Sequence, residues 1–184
     1  MEIKFSPELL CILNYARDEA MRTGSYGIGA DHIMLALLRH ADNNACRALA
    51  ACGIASDGLK EAIDRRIFSE RAVPWQDRAM VRPTRAAAAQ LSAAAYEALK
   101  YGQHEILSSH FLLALVRSGS GAAADLLRSR GLEYGRLRDL MHEHRFILPR
   151  RQDALPRVED LLGPLGEQLT RLYGQAGDDT RLLS

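Results

Sequence analysis

Apolar positions recur at spacings of three and four along most of the chain, the period of helices that bury one face. Ser6 is a hydroxyl cap, Pro7 suits a first helical position, and Glu8 lies near the positive end of the helix dipole. These residues start a helix that runs to about Thr23 and stops at Gly24. A second helix is expected over about 31–40, with Ile33, Leu35, Leu37 and Leu38 mostly inward. A third covers about 43–52 and ends at Gly53. A fourth covers about 56–68, with Leu59, Ile63 and Ile67 four apart. The stretch "SERAVPWQDRAMVRP", residues 69–83, then breaks the period with two prolines and the one tryptophan, and reads as a connector.

The plan then repeats. His32 and His110 stand 78 positions apart, as do Gly24 and Gly102, and Gly53 and Gly131. That register holds without a gap from Ser6/Thr84 to Arg66/His144, and roughly 15 of about 60 pairs are identical, Glu19/Glu97 and Arg39/Arg117 among them. In the second copy Thr84 and Ser108 read as caps, Gly102 and Gly131 as stops, and Leu137, Leu140 and Met141 as the inner face of the last helix. The predicted fold is all-α: two tandem pseudo-twofold four-helix repeats plus a C-terminal helical tail. Residues 1–149 form the double-repeat domain, with repeat one at 5–68, the connector at 69–83 and repeat two at 84–148.

Residues 150–184 are the tail. Leu155, Val158, Leu162, Leu165, Leu169 and Leu172 make an amphipathic stripe, which Pro164 is expected to end or kink, and "GQAGDDTRLLS" reads as a loose end. Such a stripe docks on the domain, on a partner or on a second copy, or else "LTRLYGQAGDD" is the remnant of a linker to a ring.

Composition narrows the chemistry. The formal net charge is +1, so no general field attracts nucleic acid or an anionic membrane. The short basic run "RFILPRR" reads as a solvated domain exit. No apolar run approaches about 18 residues, the N-terminus has no signal-peptide pattern, and a cytoplasmic location is the default expectation. Cys11, Cys46 and Cys52 are odd in number, lack a C-x-x-C and read as small buried hydrophobes. No metal or cofactor is expected: His142 and His144 cannot share a helix face, and one histidine per repeat makes a poor ligand set. "GIASDGLK" imitates a phosphate loop, but Leu59 separates the glycine from the lysine. No G-x-S-x-G, H-E-x-x-H or dinucleotide fingerprint is present, so an enzyme is not expected. A small helical enzyme would have to be built around His32 or His110, whose recurrence at the head of one helix in both copies suits a scaffold position.

The first copy reads "FSPELLCILNYARDEAMRTGSYGIGADHIMLALLRH" and the second "TRAAAAQLSAAAYEALKYGQHEILSSHFLLALVRS". This doubling resembles the Clp N-terminal (Clp repeat) domain that precedes the ring ATPases ClpA, ClpB and ClpC, over about residues 5–148. The resemblance implies binding rather than catalysis, with an adaptor, an unfolded substrate or the Clp ATPase itself as protein partner. In ClpC-like members the implied ligand includes phosphorylated arginine: an acid before the helix-two histidine takes the guanidinium, and a hydroxyl and a helix N-terminus favour the phosphate. Here the first acid position is Asp31 after Ala30, and the second is Ser109 after Ser108. In ClpB-like members "ISSE" lines a groove; here His110 stands at the acid position, and Ser6 matches the hydroxyl in the first helix. The implied binding surface is the groove between repeats, with Ser6, Asp31, His104, Glu105 and Ser109 at its rim and Trp75 as an aromatic anchor. The competing reading is a helical interaction or oligomerisation module unrelated to proteolysis, self-associating through the tail.

Overall fold

The computed structural model describes residues 2–145 and 158–181, with side chains given for 160–174 of the second segment. Repeat one consists of α1 (Pro7–Thr23), α2 (Ala30–Arg39), α3 (Asn44–Ala51) and α4 (Ser56–Ile67). Repeat two consists of α5 (Arg85–Lys100), α6 (Ser108–Ser118), α7 (Ala122–Ser129) and α8 (Tyr134–Glu143). The Ser6 hydroxyl accepts from Leu9 N–H at 3.1 Å and the Thr84 hydroxyl from Ala87 N–H at 3.0 Å, so both first helices start on the expected caps. Gly24 ends α1 at φ +85°, where a Cβ would lie 2.3 Å from the Arg71 carbonyl oxygen; only glycine fits.

Four two-residue strands lock the repeats together. β1 (Lys4–Phe5) pairs in parallel with β4 (Glu105–Ile106), and β2 (Gly27–Ile28) with β3 (Arg82–Pro83). Each pair joins the segment before helix one of one repeat to the segment before helix two of the other. Ser6 N–H extends the first ladder to the Ile106 carbonyl at 3.1 Å, and Thr84 N–H extends the second to the Ile28 carbonyl at 3.0 Å. The pseudo-twofold relation is therefore written in backbone hydrogen bonds, and each repeat completes the other.

The core centres on the second helices, which are buried from His32 to Leu38 and from Ser108 to Val116. The two recurrent histidines do the same job. His32 Nδ1 accepts from Gly29 N–H and His110 Nδ1 from Leu107 N–H, both at 2.9 Å, closing the first turn of α2 and α6. Burial disfavours the imidazolium: it lowers the His32 pKa and pushes His110 down to about 3. Glu19 and Glu97, buried at equivalent positions, also recur in role. Glu19 pairs with Arg22 and Arg39, and Glu97 with Lys100 and Arg117.

Three expectations change. Leu107, not Ser108, is the cap residue of α6; Ser108 is its first residue, and its hydroxyl caps a helix of the other repeat. Cys11 is exposed, while Cys46 is buried and Cys52 half-buried. The tail forms one helix, α9 (Val158–Arg181), that passes through Pro164. Pro164 and Asp160 are both exposed, so the carbonyl freed four residues upstream faces water rather than the core. Leu155 and the "RFILPRR" run lie outside the described residues.

α9 docks on the chain's own domain against α5 and the 3₁₀ helix of the connector, Trp75–Met80. Leu161, Leu165, Leu169 and Tyr173 are buried, whereas Leu162 is 44% exposed, so the buried stripe is turned from the expected one. The Gln168 side chain accepts from Phe5 N–H at 3.2 Å and donates to the Ile3 carbonyl at 2.9 Å. The Tyr173 hydroxyl donates to the Leu13 carbonyl at 2.6 Å. Pro164 and four glycines cost the helix about 7 kcal/mol relative to alanine. Burying three leucines and a tyrosine returns about 8 kcal/mol. Docking, not propensity, makes this segment helical, and the balance is narrow.

Candidate functional site

The inter-repeat surface is two related junctions. At the first, α1 and β1 meet β4 and α6, which brings Ser6, His104, Glu105 and Ser109 together. Lys4 N–H donates to the His104 carbonyl at 2.9 Å, and the Lys4 ammonium lies 3.4 Å from the Glu105 carboxylate, both side chains being solvated. Ser6 is 2% exposed and its hydroxyl is engaged in capping; Ser109 is fully buried in the first turn of α6. His104 and Glu105, with Gly102, Gln103 and Leu107, line a recess of about 300 Å³. Two of these residues carry a buried polar atom without a hydrogen-bond partner, His104 Nδ1 and Gln103 Oε1.

The chemistry at this junction belongs to Glu8, which the sequence offered only as a dipole-stabilising acid. Its Oε1 accepts from Ser108 N–H at 2.8 Å and its Oε2 from Asn44 N–H at 3.1 Å. The Ser108 hydroxyl accepts from Ala45 N–H at 3.1 Å. Two helix N-termini, α3 and α6, thus converge on one carboxylate of the same chain. This is where an anion would settle, and it is already filled.

Ala86 stands at the position equivalent to Glu8, and the second junction is neutralised differently. Asp31 Oδ1 accepts from Ala123 N–H at 2.8 Å and its Oδ2 from Ala122 N–H at 3.2 Å, so it caps α7 across the repeat boundary. Gly121 precedes that helix at φ +105°, and a Cβ there would meet Asp31 Oδ2 at 2.9 Å. Gly121→Ala is therefore expected to cost about 2–3 kcal/mol, from backbone strain and from displacing the cap. Urea denaturation checks this; a stability change under about 0.5 kcal/mol, the scale of neutral surface substitutions, would contradict the cap's role.

Trp75 lies apart from both residue sets. It is 70% exposed, stacks with the Arg78 guanidinium 4.6 Å from its ring centre, and borders a cavity of about 290 Å³ with Asp18, Met21, Arg22, Ala72 and Val73. Met80 is 64% exposed, while Val73 and Val81 are buried. The connector thus spends its valines on the core and its tryptophan and methionine on the surface. Among the described residues no group of three His, Cys, Asp or Glu side chains could hold a metal ion, and no helix is long and apolar enough to cross a membrane.

Sequence reasoning missed Glu8 as a bridge because neither helix N-terminus it joins is near it in the chain. The Glu19/Glu97 and Arg39/Arg117 ion pairs were visible as identities in both repeats, and that double recurrence was their signal.

Comparison with known proteins agrees with this geometry. The family described as "Clp repeat (R) N-terminal domain" matches residues 4–130. The chain is 29% identical over 135 residues to the negative regulator of genetic competence ClpC/MecB of Bacillus subtilis (strain 168), covering 73% of this chain and 16% of that protein. It is also 29% identical over 135 residues to the chaperone protein ClpB of Oceanobacillus iheyensis, with the same coverage. To the chloroplastic chaperone protein ClpC1 of Oryza sativa subsp. japonica it is 27% identical over 140 residues, 73% of this chain and 14% of that one. The chain therefore spans only about a sixth of the length of these relatives. With the doubled four-helix plan, the crossed strand pairs and the match over residues 4–130, the chain belongs to the Clp repeat N-terminal domain family.

Proposed function

We propose that this chain is a non-catalytic protein-binding domain of the Clp chaperone/protease system, receiving substrates or adaptors or serving as an accessory subunit of a Clp ATPase. The observation that carries the reading is the exposed Trp75, beside an apolar cavity flanked by Asp18 and Arg22, on a domain of this family. A large aromatic next to a pocket with both charges at its edge is the composition of a binding hot spot. The filled anion positions at Glu8 and Asp31 argue against phosphorylated arginine as the ligand. Against the competing self-association reading weighs the burial of Leu161, Leu165 and Leu169 of α9 in its own domain.

Affinity capture from lysate with the full chain tests the proposal. Wild type is expected to retain a Clp ATPase, its peptidase or an adaptor, and Trp75→Ala to lose it by about tenfold or more with an unchanged melting temperature. Equal retention by both proteins would remove Trp75 from the surface. Capture of no Clp component, or ATP hydrolysis by the purified chain, would sink the proposal itself.

A further inference from the structure

α9 lies beyond residue 130, where the family match ends, yet it covers a face of the family unit built from β1, α1, α5 and the connector. Leu161, Leu165 and Leu169 fill the groove at a spacing of four, and the Gln168 amide pairs with the backbone of the N-terminal segment. The helix itself is weakly built, since Pro164 and its glycines offset most of what docking gains.

One position is poorly served by α9. Arg17 is 2% exposed; its Nη2 donates to the Tyr173 carbonyl at 3.0 Å, but its Nε is buried without a partner. Arg78 and Arg82 oppose its charge, and Asp18, the nearby carboxylate that offsets them, is itself paired with Arg78. At this end of the groove α9 offers the Tyr173 carbonyl and the face of its ring, 4.8 Å from the guanidinium, and then Gly174, but no carboxylate. A buried guanidinium whose Nε has no acceptor is matched by a carboxylate.

We propose that this face is a helix-receiving groove, that α9 is its tethered resident, and that the partner is an amphipathic helix with leucines four apart and an acidic residue at the Arg17 end. The partner enters by displacing α9. This inference goes beyond the proposed function and does not depend on the Trp75 surface.

The test uses the full chain and two labelled peptides of residues 158–181, one with Gly174→Gln and one with Gly174→Glu, so that both lose the same helix-weakening glycine. Binding is measured by anisotropy to wild type and to a Leu165→Asp/Leu169→Asp chain, whose own helix should no longer dock. The expected result is at least tenfold tighter binding of the Gly174→Gln peptide to the double variant than to wild type, and a further severalfold gain for the Gly174→Glu peptide. Circular dichroism and a cooperative melt establish that the variant is folded. A folded variant that binds neither peptide overturns the groove. Equal affinity for both peptides overturns the acidic partner. A variant without a cooperative melt makes α9 an integral part of the core, and a wild-type dimer with exchanged helices makes the occupant a second copy; either result overturns the proposal.

Discussion

Glu97→Ala is expected to lower the melting temperature by roughly 10 °C. Glu97 is 3% exposed. Its Oε1 takes the Lys100 ammonium at 3.1 Å and the Arg117 guanidinium at 3.2 Å, and its Oε2 accepts from the Tyr134 hydroxyl at 2.7 Å. Arg117 is about half exposed and its share is screened by water. Lys100 is largely buried and Tyr134 half-buried, and without the carboxylate they keep their desolvation cost and lose a partner. Breaking a buried pair from one side costs about 3–5 kcal/mol. Glu97→Gln keeps an acceptor for Tyr134 and should recover part of the loss. A fall below about 2 °C for the alanine variant, roughly what 1 kcal/mol produces in a chain of this length, would mean that the cluster is solvated in solution.

The second large effect is acid destabilisation through His110. Its imidazole titrates at about 3 in the folded chain because burial opposes the charge, against about 6.5 when unfolded. A group with a depressed folded pKa contributes its full stability above the unfolded value. That contribution is lost as pH falls from about 6.5 toward about 3, because the unfolded chain binds the proton first. The full window corresponds to about 5 kcal/mol. Protonation would also remove the Nδ1 lone pair that accepts from Leu107 N–H. His32, lowered by burial as well, adds in the same direction. His110→Gln retains an acceptor for Leu107 and removes the titration, so its stability should fall less between pH 7 and pH 5, a range in which few carboxylates titrate. Urea unfolding of both proteins across that range decides the matter; parallel curves would mean that His110 is not the sensor.

Both effects trace to residues that recur at the 78-residue offset, which is why much of the fold could be read from the chain. Ser6, Thr84, Gly24, Gly53, Gly102 and Gly131 act locally: a hydroxyl or a missing Cβ sets the neighbouring backbone whatever lies across the core. The doubling added the pseudo-twofold plan, because two copies of one amphipathic unit must bury the same faces. His32 and His110 as turn-closing residues followed from their place at the head of a buried helix.

What the sequence determined by itself was therefore local and periodic: helix starts and stops, the two repeats and the family. The tertiary structure alone decided the rest. Glu8 and Asp31 looked alike as acids in first turns, yet each neutralises helix ends far away in sequence. Ser108 looked like its own helix's cap and serves another. Ser6 and Ser109 matched a binding pattern and are buried, while Trp75 faces solvent. Pro164 carried a strong local signal to stop, overridden because its side of α9 faces water and the opposite side finds a groove. Long-range pairing depends on where two segments meet, and the period of one segment carries no information about the other.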